Sequence, residues 1–162
     1  MSFQQVQRVN SWKQSGRISL WRYTENECNY PGWHLNADEA GCRSLLELLD
    51  ALSFEGSGTR AIALTPPTSG QLQVPNNMRG LAAWVAPEKW RITLSPEPDG
   101  WVFPSDLHPG ALTVDSTWLG PLRTGITGIQ AGRGDYSIGD RKGGLALWFW
   151  WGLRSPTSTS GR

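Results

Sequence analysis

The sequence has few of the residues on which metal sites and disulfide frameworks depend. It contains two cysteines and two histidines in 162 residues. The four candidate ligands are Cys28, His34, Cys42 and His108. Their spacings match no zinc pattern, in which paired ligands usually lie about two to five residues apart. Two cysteines are also too few for a disulfide framework. We therefore expect no metal ion, no cofactor and a reduced, cytoplasmic protein.

Net charge and long apolar runs are lacking as well. Fifteen basic residues nearly balance fourteen acidic ones, which gives a formal net charge of +1 and no global field that would attract nucleic acid or an acidic membrane. The longest apolar run, 145–151, is far shorter than the roughly 20 residues that cross a bilayer. Residues 1–20 lack the apolar central region of a secretory signal. We expect no nucleic acid and no membrane among the partners.

Motifs of nucleotide-binding and nucleophilic enzymes are missing too. The glycine-rich stretch GITGIQAGRGD (125–135) fits neither the dinucleotide-binding nor the P-loop spacing. No Gly-x-Ser-x-Gly elbow is present. The pair Cys28 and His34, both in one predicted loop, is the remaining nucleophilic candidate. The sequence therefore predicts no catalytic residue, although a small enzyme with an unrecognised site stays an open alternative.

Tryptophan, by contrast, is abundant. The chain has ten, and three of them fall in the stretch LALWFWWG (145–152). Alternate residues of a strand face opposite sides, so Trp148 and Trp150 share one face while Phe149 lies on the other. Four aromatic side chains bury about 600–1,000 Å², which represents roughly 15–25 kcal/mol of gross transfer free energy. We therefore expect a central strand covered on both faces; the alternative keeps one aromatic face for a partner.

The remaining pattern is typical of an α+β fold. Alternation of apolar and polar residues predicts strands at 16–24, 60–65, 81–85, 89–95 and 101–103, and a closing hairpin of 134–139 with 145–151. Residues 81–85 and 89–95 are the predicted arms of a second hairpin. An apolar stripe from Cys42 to Leu52 predicts a helix that Asn36 caps. Residues 113–129 predict a further helix, which either begins near Pro121 or breaks there.

We therefore predict a single α+β domain over residues 15–152. It would consist of a mostly antiparallel sheet of about five to seven strands, with two helices packed on it around a tryptophan-rich core. Residues 1–14 are predicted to form a flexible N-terminal segment, and residues 153–162 a disordered C-terminal tail.

The surplus of aromatic residues and the lack of a catalytic motif favour a non-catalytic protein-interaction domain, similar in kind to small immunity or adaptor proteins. The expected partner is another protein. The candidate binding residues are Trp148, Trp150, Tyr136 and Asp135. The alternative is a module for carbohydrate or another small molecule, in which Trp33, Trp101 or the aromatic residues of the closing strand would pack on the face of a sugar and Asp135, Tyr136 and Asn29 would add hydrogen bonds.

Overall fold

The chain folds as a single small α+β unit, here described from a computed structural model. The described residues are 8–25, 31–73, 75, 82–98, 100–132, 136–139 and 145–150. Within them the strands, in chain order, are β1 (Ile18–Tyr23), β2 (Trp33–Ala37), β3 (Gly58–Ala63), β4 (Trp84–Val85), β5 (Lys89–Leu94), β6 (Trp101–Val102), β7 (Gly110–Val114), β8 (Tyr136–Ile138) and β9 (Leu147–Phe149). The helices are α1 (Glu39–Glu55), α2 (Ser69–Gln73) and α3 (Leu119–Gln130), with 3-10 turns at Val9–Ser11 and Ser116–Trp118. The predicted α+β class is confirmed.

The described strands are divided between two sheets rather than gathered in one. The first sheet has the order β4-β1-β2-β9-β8, and the second has the order β3-β5-β7-β6. The pairs β2–β9 and β5–β7 are parallel, and the other pairs of described strands are antiparallel. The expectation of mostly antiparallel pairing is therefore confirmed. The sequence pattern did not show the division into two sheets.

The predicted hairpin of 81–85 with 89–95 is wrong. Strand β4 pairs with β1, where Trp84 lies opposite Tyr23, whereas β5 lies between β3 and β7 in the other sheet. The short connection between them crosses from one sheet to the other. Alternation along β5 correctly identified its buried face, because Trp90 and Ile92 lie in the core. A period of two residues says which face is buried but does not say which strand is the neighbour.

Strand β9 lies in the interior of the first sheet, as its aromatic sequence predicts. It is flanked by β2 on one side and by β8 on the other. Leu147 and Phe149 face the main core, which fills the space between the two sheets and helices α1 and α3. Trp148 and Trp150 belong to a second cluster on the opposite face. Helix α3 approaches β9 so closely that a Cβ atom on Gly125 would lie 2.5 Å from ring carbons of Phe149.

The two predicted helices are confirmed, although the cap of the first differs. Asp38, and not Asn36, caps α1: its Oδ1 accepts hydrogen bonds from the backbone N–H of Gly41 at 2.7 Å and of Arg17 at 2.9 Å. Asn36 lies in β2 and does not cap the helix. Helix α3 begins two residues before Pro121, after a 3-10 turn that Asp115 caps. Both caps follow the preference for short polar acceptors at helix starts.

Residues 8–14 lie against α1 and β3. Trp12 is 1% exposed and donates its indole N–H to the backbone oxygen of Ser44 at 2.8 Å. The side-chain amide of Gln14 exchanges two hydrogen bonds with the backbone of Ala63, so it occupies the outer edge of β3. The predicted N-terminal segment 1–14 stays a prediction, and the predicted tail 153–162 falls outside the described residues. Among the described helices, none is both long enough and apolar enough to cross a bilayer.

Candidate binding surface

The structure brings two of the four predicted site residues together. Trp148 and Trp150 stack with their ring centroids 6.0 Å apart, but Trp150 is only 2% exposed and Trp148 is half-buried. Tyr136, which is 40% exposed, lies on the opposite face of the sheet, because it pairs with Phe149. Asp135 falls outside the described residues. The predicted residues therefore do not form one surface in the part of the chain that the structure describes.

Trp148 and Trp150 belong to an aromatic layer on the outer face of the first sheet, which we define as Trp21, Tyr23, His34, Trp148 and Trp150. Register explains the arrangement, since Trp21 pairs with His34 across β1 and β2, and His34 pairs with Trp148 across β2 and β9. The His34 ring lies 5.7 Å from that of Trp21 and 4.9 Å from that of Tyr23. The indole N–H of Trp150 donates to His34 Nδ1 over 2.9 Å.

A segment that includes α2 covers this aromatic layer. The Tyr23 hydroxyl donates to the backbone oxygen of Leu72 at 2.9 Å, and the Ser19 hydroxyl donates to that of Thr65 at 2.7 Å. The Gln71 amide donates to the side-chain oxygen of Asn36 at 2.6 Å, and Asn36 in turn donates to the backbone oxygen of Trp150. Burial raises the pKa of the Tyr23 phenol above its usual value. The layer is thus a second core.

The nucleophilic and metal-binding candidates are not assembled into a site among the described residues. Cys42 is buried in the main core, and burial together with nearby Asp38 and Glu39 raises the pKa of its thiol to about 12. His34 is fully buried in the aromatic layer, and Cys28 lies outside the described residues. The described residues include no group of three histidines, cysteines or carboxylates that could hold a metal ion.

The indoles of the sugar-binding alternative are also in the core. Trp33 is fully buried and stacks on Phe103 with ring centroids 5.2 Å apart. Trp101 is buried as well, and it donates its indole N–H to the backbone oxygen of Leu145 at 2.8 Å. Asn29 lies outside the described residues. Neither indole offers a face to a sugar.

A different feature, which the sequence did not reveal, lies on the outer face of the second sheet. It is a groove of about 370 Å³. Its lining residues are Ala61, Glu88, Lys89, Arg91, Leu107, His108 and Pro109. The floor comes from β3 and β5, and the wall comes from the loop that precedes β7. A volume of this size is within the range of roughly 300–1,000 Å³ that is typical of ligand sites.

The strand pattern of β5 explains the floor of the groove. Trp90, Ile92 and Leu94 point into the core, so Lys89 and Arg91 point outward, and both are exposed. Ala61 on β3 and Ala111 on β7 are the cross-strand neighbours of Arg91. Both neighbours are short, so they leave open space beside the base of the Arg91 side chain on the outer face of the sheet.

The groove carries an excess of positive charge. The ion pairs found among the described residues are Arg8 with Glu55 and Arg123 with Asp50, so neither Lys89 nor Arg91 pairs with a described carboxylate. Among the lining residues, the carboxylate of Glu88 stands against the two basic side chains of Lys89 and Arg91. The sequence indicated the polar face of β5. The wall residues 107–109 could not be placed beside it, since they are distant along the chain.

No protein-family model, no curated protein and no solved structure matches this chain. The function is therefore argued from the geometry of the described surfaces.

Proposed function

We propose that this chain is a non-catalytic protein-interaction domain that binds an acidic segment of a partner protein in the groove on the second sheet. We further propose that it acts in the cytoplasm. The observation that supports the interaction is the pair Lys89 and Arg91, which project from one open sheet face and form no ion pair with a described carboxylate. A partner that supplies carboxylates would complete the charge pairing.

Physical chemistry favours this use of the groove. Charged groups arranged against an opposite charge raise association rates and select the partner. Arg91 offers a planar fork of donors that fits a carboxylate with two parallel hydrogen bonds. Its cross-strand neighbours, Ala61 and Ala111, are short enough for a carboxylate to approach Arg91. Their side chains have no acceptor that would compete for the guanidinium N–H groups. Leu107 and Pro109 add apolar surface at the wall.

A small organic anion is a second candidate ligand. The volume of about 370 Å³ favours it, because small-molecule sites begin at roughly 300 Å³. Direct binding separates the two candidates: citrate should bind as tightly as an acidic peptide if the ligand is a small anion, whereas the peptide should bind more tightly if the ligand is a protein segment that also packs on Leu107 and Pro109.

Charge reversal tests the proposed function. The double variant K89E/R91E is compared with R17E/R43E, which changes the net charge equally at two exposed positions away from the groove. Crosslinking with a photoreactive reagent, which does not depend on the Lys89 amine, to an acidic partner in native extracts should be retained by the wild type and by R17E/R43E and lost from K89E/R91E. Loss of the same crosslinked partner from both double variants, or from neither, would contradict binding in the groove. Circular dichroism of each variant should remain that of the wild type.

The proposed location has its own support. Cys42 is a free, buried cysteine, which is compatible with a reducing compartment. Cell fractionation with an antibody against the native chain tests the location: recovery with cytoplasmic markers is expected, and recovery with membrane or secreted fractions would contradict it.

A further inference from the structure

We infer that the groove selects an extended segment with acidic residues at alternate positions, Asp/Glu-x-Asp/Glu, and this inference rests on the proposed function. Lys89 and Arg91 are two residues apart in β5 and project from the same face. Neighbouring residues of a strand are about 3.3 Å apart, so the two side chains leave the sheet about 6.6 Å apart. The groove therefore presents two cations whose points of attachment to the sheet have a fixed spacing.

An extended peptide has the same repeat as the strand that would bind it. Its residues i and i+2 lie on one side, again about 6.6 Å apart, and residue i+1 points the other way. Two carboxylates at i and i+2 can therefore meet both cations at once, while the residue between them faces solvent and can be of any type. Carboxylates on adjacent residues would point to opposite sides, so only one of them could meet a cation.

An extended segment is also thinner than a helix, whose diameter with side chains is about 10–12 Å. Its backbone could pack along Leu107 and Pro109, which line the groove, while its two acidic side chains face β5.

Glu88 limits the number of acidic residues that the bound segment can place at the Lys89 end of the groove. It lines the groove beside Lys89, so a third acidic residue placed beyond Lys89 would meet a like charge. Like charges in close contact are unfavourable. The preferred segment therefore has two acidic residues and not a longer uninterrupted acidic tract, and neutralisation of Glu88 should strengthen its binding.

Peptides of identical composition test the inference. Fluorescein-labelled nonapeptides of glycine and serine carry two glutamates at i and i+1, at i and i+2, or at i and i+4, and fluorescence polarisation at low salt gives their Kd values. The i, i+2 peptide should bind about three- to tenfold more tightly than the i, i+1 peptide. K89M and R91M should each remove this preference. E88Q should tighten binding, and R17M is the matched control that should leave all three Kd values unchanged.

The outcomes distinguish the inference from the proposed function. If all three peptides bind equally but still require Lys89 and Arg91, the alternate spacing is wrong while the acidic groove stands. Tightest binding of the i, i+4 peptide would indicate a helical ligand and would also overturn the spacing. If no acidic peptide binds, or if K89M and R91M leave binding unchanged, the proposed function itself is contradicted.

Discussion

The indole N–H of Trp150 donates a 2.9 Å hydrogen bond to Nδ1 of His34 in a site where both side chains are buried. Because an indole nitrogen only donates, Nδ1 must accept, and the neutral imidazole then carries its proton on Nε2. The same contact joins β2 to the residue that follows β9. This hydrogen bond therefore connects the histidine to the tryptophan-rich run within the aromatic layer.

Removal of either partner should destabilise the fold. We expect H34L, which removes the acceptor of the Trp150 N–H hydrogen bond in a buried site, to lower the free energy of unfolding by about 1–3 kcal/mol. W150F should lower it as well, because it leaves His34 Nδ1 without this donor. Urea denaturation of both single variants and the double variant measures the coupling between them. The loss of unfolding free energy in the double variant should be about 1 kcal/mol smaller than the sum of the losses in the two single variants. Strict additivity of the three losses would contradict an energetic role for this hydrogen bond.

The close contact between α3 and β9 gives a second prediction. Gly125→Ala places a Cβ atom 2.5 Å from carbons of the Phe149 ring, so we expect a loss of about 1–3 kcal/mol in the free energy of unfolding, despite the better helix propensity of alanine. Gly120→Ala on the same helix is the matched control, since no described heavy atom from outside its own turn lies within 4 Å of the added Cβ. It should be neutral or stabilising by up to about 1 kcal/mol. Equal effects of the two changes in thermal or urea unfolding would contradict the packing of α3 on Phe149.

Asp115, which caps the 3-10 turn before α3, should make the free energy of unfolding depend on pH. Hydrogen bonds from the Thr117 side chain, the Gly100 N–H and the Thr117 N–H lower the pKa of Asp115 below its usual value of 3.8. A carboxyl whose pKa is lower in the folded state stabilises the fold above its unfolded pKa, and this stabilisation is lost as pH falls through the folded pKa. The difference in unfolding free energy between wild type and D115N should therefore be constant above about pH 5 and shrink below about pH 4.

A D115N difference that stayed constant down to pH 2.5, or that grew as the pH fell, would be incompatible with a carboxylate that accepts these three hydrogen bonds.

The buried thiol of Cys42 gives a prediction about reactivity. Its pKa of about 12 leaves almost no thiolate at pH 8, and only the thiolate is an effective nucleophile. In a C28S variant, which retains Cys42 as its one thiol, an aromatic disulfide reagent should react only when urea unfolds the chain. Stoichiometric reaction within seconds under native conditions would contradict the burial of this side chain.

Sequence patterns predicted those parts of the fold that depend on local period and aromatic content. The run from Leu147 to Trp150 was correctly placed inside a sheet, because apolar residues on both faces need cover on both sides. The stripe on α1 was found for the same reason. The sequence did not identify the cap at Asp38, because Asn36, two residues earlier, has an equally suitable side chain. In the structure, β2 extends to Ala37 and therefore includes Asn36.

The division into two sheets and the groove could not be predicted, since both depend on contacts between distant segments. Strand alternation shows that Lys89 and Arg91 share a polar face, but not that residues 107–109 fold back to make a wall beside them. The described members of the predicted binding set do not share one face for a related reason. Tyr136 and Trp148 lie on adjacent strands, yet the register places them on opposite faces.

An NMR titration of the ¹⁵N-labelled protein with the i, i+2 diglutamate peptide tests most directly whether the groove, and not the aromatic layer, is the binding surface. Backbone amide resonances of residues 88–91, and of 107 and 108 in the wall, should shift with the peptide, while the indole N–H resonances of Trp148 and Trp150 stay in place. Shifts confined to those two indoles and their neighbours, with residues 88–91 unmoved, would contradict the account.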